Sequence, residues 1–332
     1  MRTRADWLRA GLGFLVSIAA AAVLIWMIDV RQVLQAMSRL NLAYLAPIFM
    51  LSLISFGTRS AGWKTILPGE ISLWEVFLIV NAGYFLNTIF PFRLGEVGRA
   101  VMLKPAGFDF WEAVPTIILE RLFDFIFAVA LFLGALPFVL NVSRGGGYAA
   151  SVAGMVGLGL LGLYLLVRYQ THIISWLEGV DFLGARVEGW IQTRLKSFLS
   201  GLSILSDPVR FSRAFLWIAL SWGLALGVQY LLLRAFLPEA RLLWAVFALG
   251  AVALGVSIPS SPGNIGVYEA SLVAALTVFE IEGSVAFAYA LISHGINLSI
   301  TTLVGSYTVV QQGLELRSVY EVDRRFSKEG DL

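Results

Sequence analysis

The stretch FPFRLGEVGR, residues 90–99, sets Arg93, Glu96 and Arg99 between a proline and two glycines. A second charged group follows in ILERLFDF, which carries Glu120, Arg121 and Asp124. A third polar stretch, SIPSSPGNIGVYEAS (257–271), brings Ser260, Ser261, Asn264 and Glu269, and ALISHGINL adds His294. Arginines at this density hold an anion, best a phosphate or carboxylate taken in two-pronged fashion, or they pair with acids of their own chain. The carboxylates Glu96, Glu120 and Glu269 are also candidate acids or bases. The sequence carries no G-x-S-x-G, no H-E-x-x-H and no aspartate-rich pair for Mg²⁺, which argues against the common hydrolytic sites. With no cysteine and only His172 and His294, no metal or other cofactor is expected.

These charges sit in an oily chain. Of its 332 residues 58% are hydrophobic and 14% charged, against about 25% charged in soluble domains, and the mean hydropathy is +0.80. The class is a polytopic helical membrane protein, all-α. A net charge of +2 gives no footprint for nucleic acid. A charge at the bilayer centre costs about 2.5–3.5 kcal/mol, so three in one segment cost on the order of 8–10 kcal/mol. They cannot face lipid; they pair with each other, line a watery cavity, or both.

The elements that hold them are read from apolar runs near 20 residues. Candidates fall at about 11–28, 43–56, 73–90, 113–140, 148–167, 211–237, 243–258 and 285–312. Two shorter pieces, 97–103 and 265–279, follow the Pro/Gly interruptions, giving about eight membrane segments plus two half-helices. The basic N-terminus and the 11–28 run read as an uncleaved first span. The polar stretch 168–210 repeats apolar residues every three or four positions (Val187, Trp190, Ile191, Leu195, Phe198) and reads as an amphipathic surface helix or a solvated linker. Gly157, Gly159 and Gly162 offer small residues for helix contacts. The expected organisation is a membrane domain over 1–316 and a polar tail over 317–332.

Basic residues in loops set the topology. With the N-terminus inside, the 57–72 loop (Arg59, Lys64), the 168–210 stretch and the tail all fall in the cytoplasm only if 73–90 breaks near Pro91 and 95–104 returns to the side it came from. Both termini are then cytoplasmic, in an inner (plasma) membrane. By the same parity, 243–258 comes in from outside, breaks, and 265–279 returns outside. The breaks share P-x-x-x-G, Pro91 to Gly95 and Pro262 to Gly266, each followed by a glutamate. Opposed hairpins with a shared pattern suggest an inverted repeat of broken helices meeting near the midplane; two ordinary kinked helices are the alternative. A half-helix starting at Gly95 or Gly266 would present free N–H groups and a positive dipole end. With Arg93 and Arg99 beside it and Ser260, Ser261 and Asn264 at the other break, that is a phosphate site at membrane depth. The expected pairs are Arg93 or Arg99 with Glu120 or Asp124, and Arg121 with Glu96 or Glu269. Arg121 lies about 100° round the helix from Glu120 and is not expected to reach it. The same pairs also serve as plain glue between helices.

Three motifs in order resemble the lysylphosphatidylglycerol synthase transmembrane, or flippase-like, family. They are N-x-x-x-P-x-R-x-G-E-x-x-R (Asn87, Pro91, Arg93, Gly95, Glu96, Arg99), E-R-x-x-D (Glu120, Arg121, Asp124) and P-x-x-P-G-x-x-G-x-x-E (Pro259, Pro262, Gly263, Gly266, Glu269). The resemblance covers roughly residues 10–315. It implies a membrane domain that moves or exposes an anionic or polyprenyl-type lipid between leaflets. His294 stands where the family often has a basic residue, commonly arginine; it is read either as a titrating group that couples to protons or as a satisfied hydrogen-bond partner, with Asn297 one turn on. No synthase domain follows the last span in this sequence, so the resemblance implies a stand-alone lipid translocase-like module. The alternatives are a non-transporting scaffold for a partner lipid-modifying synthase or glycosyltransferase and, third, an intramembrane enzyme acting on a lipid phosphate. Headgroup, energy coupling and oligomeric state are not encoded in any of these motifs.

Overall fold

The computed structural model describes residues 17–20, 22, 29–90, 94–140, 145–169, 172, 207–258 and 260–311. Pro91, Arg93, Pro259, nearly all of the first span, the 173–206 part of the amphipathic stretch and the 317–332 tail lie outside the described residues. Within them the protein is all-helical: α1 Val30–Ser38, α2 Leu45–Ile66, α3 Leu73–Ile89, α4 Leu94–Met102, α5 Phe110–Val139, α6 Gly145–Arg168, α7 Pro208–Phe236, α8 Leu242–Gly255, α9 Val267–Thr277 and α10 Gly283–Gln311. The helix α2 with the turn before it, and α5, α7 and α10, are long and apolar enough to cross a membrane; α3 and α8 are shorter and apolar. On α5, Ile118, Leu122 and Phe125 form an exposed apolar stripe, the face a lipid would cover.

Helix ends follow local chemistry. Ser72 and Glu75 form a reciprocal capping box at the start of α3, with 3.1 Å bonds in both directions. Asp109 caps α5 through Trp111 N–H, and Asp207 caps α7 through Val209 N–H, with Pro208 at the first helical position. Phe90, the residue before Pro91, is extended, and α3 stops there. At the other break, Gly263 (φ 69°), Asn264 (φ 55°) and Gly266 (φ 86°) all lie in the left-handed region and reverse the chain between α8 and α9.

The helices pair as two copies of one unit. Taking α2–α5 as the first copy and α7–α10 as the second, α3 packs on α4 as α8 on α9, and α4 on α5 as α9 on α10. Across the copies, α3 packs on α10 and α8 on α5, each pair the image of the other. Helices α2 and α7 lie together and antiparallel: Gly62 approaches Trp217 and Ile218, Ser55 meets Ser221, and Gly227 approaches Leu51. At the middle of that crossing the two serines exchange bonds, Ser55 Oγ–H to Ser221 O at 3.1 Å and Ser221 Oγ–H to Ser55 O at 3.2 Å. One helical hairpin, α3–α4, follows the Ile66 end of α2. The other, α8–α9, follows the Phe236 end of α7 and so starts from the opposite side. Their tips touch, Gly263 lying against Thr88. This is the architecture expected of an inverted repeat with broken elements.

The copies match residue by residue. Gly98 in α4 packs on Leu86 in α3; Ser271 and Gly255 occupy the same positions of α9 and α8, and there too the partners touch. Gly250 in α8 packs on Phe132 in α5; their counterparts Asn81 in α3 and Gly305 in α10 also touch. In both cases the glycine has changed sides of the contact.

Two differences from the sequence reading concern boundaries. The second span was expected to end at residue 56, leaving Arg59 and Lys64 in a cytoplasmic loop. Instead α2 continues to Ile66. Small and hydroxylated residues end the hydropathy signal there, but Thr58, Ser60 and Thr65 return their hydroxyls to carbonyls three or four residues back and stay helical. Arg210, expected in the polar stretch 168–210, lies in the first turn of α7. The amphipathic helix α1 was not foreseen; it packs on α10, where Ser284 Oγ–H donates to Gln32 Oε1 at 2.9 Å.

Candidate functional site: a buried arginine–carboxylate cluster at the broken hairpins

The glycines of α3 and α4 place the central arginine. A Cβ on Gly83 would meet the Arg99 stem at 2.5 Å, so the stem of Arg99 lies directly on α3. Its guanidinium stacks on the Trp63 ring, 3.9 Å from the centroid, and bonds Glu120 of α5. Arg99 and Glu120 are both fully buried. Trp63 is fixed in turn by donating from Nε1 to Thr116 Oγ1 at 3.0 Å.

Glu120 gathers three cations. Besides Arg99 it takes Arg59 at 2.8 Å and Arg121 at 3.1 Å. Asp124, one turn on, bonds Arg59, lies 3.4 Å from Arg121 and accepts from Trp222 Nε1 at 3.1 Å. Arg121 also reaches Glu96 at 3.8 Å. Arg59, Arg99 and Arg121 therefore balance Glu96, Glu120 and Asp124, as burial at membrane depth demands. Several nitrogens of these guanidinium groups, Arg59 Nε, Arg99 Nε and Nη1, and Arg121 Nε, are buried without a hydrogen-bond partner among the described residues. The cluster is buried at Arg99 and Glu120 and open at Arg121, whose side chain is 30% exposed.

The second copy carries a milder version. Glu269 and Glu96 are both third in their helices, and His294 and Arg121 are both twelfth in theirs. The long Arg121–Glu96 contact is answered by His294 Nδ1 and Glu269 Oε1 at 2.6 Å. His294 also stacks on Tyr268, 4.2 Å between ring centres. Ser293 and Asn297 stand where the first copy has Glu120 and Asp124, and Leu272 where it has Arg99. The Trp63–Thr116 bond has its image in Gln229 and Tyr289, whose hydroxyl donates to the Gln229 side chain. Ser293 joins the same Gln229 oxygen at 3.2 Å and Tyr268 at 2.9 Å.

Set beside the sequence reading, the pairs of Arg99 with Glu120 and of Arg121 with Glu96 form as expected. Arg121 also meets Glu120 of its own helix, contrary to the helical-wheel expectation, because the long side chain turns back along the surface (Cβ directions alone do not bound a guanidinium). His294 pairs with Glu269. The half-helix amides are not free: Gly95 N–H donates to Asn87 Oδ1 at 2.8 Å and Gly266 N–H to Glu269 Oε2 at 2.7 Å. Asn87 in turn holds Glu96 through Nδ2 at 3.0 Å. A Cβ on Gly95 would fall 1.9 Å from Gly83 O, so the space over that glycine is filled by α3. Ser260 Oγ–H donates to Asn264 Oδ1 at 2.9 Å and Ser261 Oγ–H to Ile265 O at 3.1 Å, both within the tip. The sequence reading missed Arg59, Trp63 and Trp222. The signal for Arg59 was available: an arginine among small residues next to a span reads as an intramembrane charge once the span is lengthened by one or two turns.

Comparison with known proteins agrees with this architecture. The family described as the lysylphosphatidylglycerol synthase TM region matches residues 12–305. A protein of Haloferax volcanii named glycosyltransferase AglD is 23% identical over 93% of this chain, which spans 55% of that protein's length. UPF0104 membrane proteins of Pyrococcus horikoshii (19% identical, 90% of this chain and 95% of theirs) and Methanocaldococcus jannaschii (27%, 74% and 97%) align along most of their length. No solved structure matches. Motifs, broken hairpins and match together make this integral membrane protein a member of the lysylphosphatidylglycerol synthase transmembrane-region family.

Proposed function

We propose that the protein binds the phosphate of an anionic or polyprenyl-type lipid beside the Arg59–Arg99–Arg121 cluster and moves that lipid between leaflets. The observation that carries the reading is a neutral cluster of three arginines and three carboxylates, set against a broken hairpin, that still holds guanidinium N–H groups without a hydrogen-bond partner among the described residues. Plain helix glue has no use for donors left over. A phosphate supplies the acceptors they lack, and its hydrocarbon chain stays in the bilayer. Arg121, at the open end, meets the headgroup first, and Arg99 behind it completes the cationic wall; Arg93 enters as a candidate from the sequence alone. Ser260, Ser261, Asn264 and Gly266, at the second tip, supply neutral contacts. In the conformation described, Asn87 and Glu269 occupy the Gly95 and Gly266 amides, so those amides join only after the caps release.

The relation to a protein named glycosyltransferase, of which this chain spans about half, favours a second reading: a membrane module serving a partner glycosyltransferase without moving lipid itself. Liposomes with labelled anionic lipid separate the two. Loss of leaflet exchange in Arg93→Ala and Arg121→Lys, with folding preserved, supports transport. Exchange at the background rate in the unaltered protein, with a co-purifying glycosyltransferase, supports the second reading. Chemical turnover of the lipid would overturn both in favour of an enzyme.

A further inference from the structure

A second cationic feature lies away from the hairpins. The Ile66 end of α2 and the Pro208 end of α7 flank an open cleft of about 400 Å³ whose lining includes Lys64, Arg210 and Arg213, one acid, Glu70, and the apolar side chains of Leu67 and Trp217. None of these residues belongs to the arginine–carboxylate cluster.

Its depth follows from the repeat. The Ser55–Ser221 crossing marks the pseudo-twofold axis, which in an inverted repeat lies in the membrane plane. At 1.5 Å per residue, Lys64, Arg213 and Arg210 stand roughly 12–17 Å from that crossing. The hydrocarbon core extends about 15 Å on each side of its centre. The three cations are therefore level with the phosphates of one leaflet, and Trp217, 40% exposed, sits at the depth tryptophan favours. The repeat also supplies a control. The matching positions at the other end of the crossing are Tyr44, Pro47 and Tyr230, none of them charged. The cations are thus a property of one end, not an inheritance of the duplicated unit.

We infer that this cleft is a binding site for a phosphate-bearing anionic headgroup on the leaflet-facing end of α2 and α7, separate from the lipid handled at the hairpins. Three cations against one acid supply the attraction, the volume admits a glycerophosphate-sized group, and the apolar side chains accept the first carbons of a chain. The same chemistry would take a free phosphate from solution, and the experiment distinguishes the sources.

Purified protein in nanodiscs of phosphatidylcholine is titrated with phosphatidylglycerol, and bound lipid is counted by native mass spectrometry. The expected result is one phosphatidylglycerol retained beyond any held at the hairpins, which weakens roughly thirtyfold in Arg210→Gln/Arg213→Gln, two exposed changes worth about 1 kcal/mol each near a membrane surface. Lys64→Gln gives a smaller loss, and Arg121→Lys leaves this lipid in place, so failure here is distinguishable from failure of the transport reading. Undiminished retention in the double variant with an unchanged melting temperature overturns the site. Displacement by millimolar inorganic phosphate or glycerol phosphate assigns it to a soluble ligand and overturns the lipid source.

Discussion

The two copies of the repeat hold the same backbone by different chemistry. In the first, Arg99 and Glu120 are buried as a charge pair, with Arg59, Arg121, Glu96 and Asp124 around them. In the second, the positions of Arg99, Glu120 and Asp124 are Leu272, Ser293 and Asn297, and the remaining acid, Glu269, meets a histidine. The comparison shows that the fold does not require the charges. A leucine, a serine and an asparagine support the same hairpin. The first copy's ions are therefore an addition to the packing that both copies share, and it is to them that the proposed function assigns the lipid phosphate.

The largest effect should come from breaking the first copy's balance. Glu120→Ser leaves Arg99 and Arg59 buried against one acid fewer, and should cost about 3–5 kcal/mol in a detergent melting or denaturant series. The double change Arg99→Leu/Glu120→Ser writes the second copy's residues into the first and should recover a substantial part of that loss. If the double variant is no better than Glu120→Ser alone, the equivalence of the copies is wrong. Next, Gly255→Leu forces a side chain onto Ser271, whose Oγ lies 1.9 Å from the position of an added Cβ, and should cost about 1–3 kcal/mol. Adding Ser271→Gly converts this contact to the Leu86–Gly98 form and should restore the melting temperature towards its starting value. A smaller pair tests the basic residues. Arg121→His should lose about 2 kcal/mol, because one imidazole cannot serve Glu96, Glu120 and Asp124 together. His294→Arg, facing Glu269, should stay within about 1 kcal/mol of the parent. Equal losses in the two would mean that the sites are not counterparts. Smallest, Trp222→Phe removes one hydrogen bond to Asp124 and should cost about 1 kcal/mol.

Much of the framework was readable from residue order. Apolar run lengths located α3, α5, α6, α7, α8 and α10 to within three residues at either end, and the twin P-x-x-x-G breaks located both hairpins. The charged motifs by themselves single out Arg99, Glu96, Glu120, Arg121 and Asp124. Arg59 was lost because hydropathy falls at Gly57-Thr58, although hydroxyls bonded to their own helix carry no such penalty. The capped amides were lost because a helix start looks empty in sequence. Asn87 fills its amide from eight residues before Gly95, a distance at which no pattern announces the bond, whereas Glu269, three residues after Gly266, has the capping-box spacing and was legible. The residue-level match of the copies was hidden for a subtler reason, since the contacts agree while the letters do not.

That last point reaches beyond this chain. A gap between two backbones has to be vacated only once, and either wall can do it: Gly98 yields to Leu86 in one hairpin, and Gly255 to Ser271 in the other. After a duplication, each half is thus free to drift by reciprocal exchange, keeping its geometry while erasing its likeness. Ancestry in such molecules is recorded in who touches whom, and comparing one half's text with the other's will miss it.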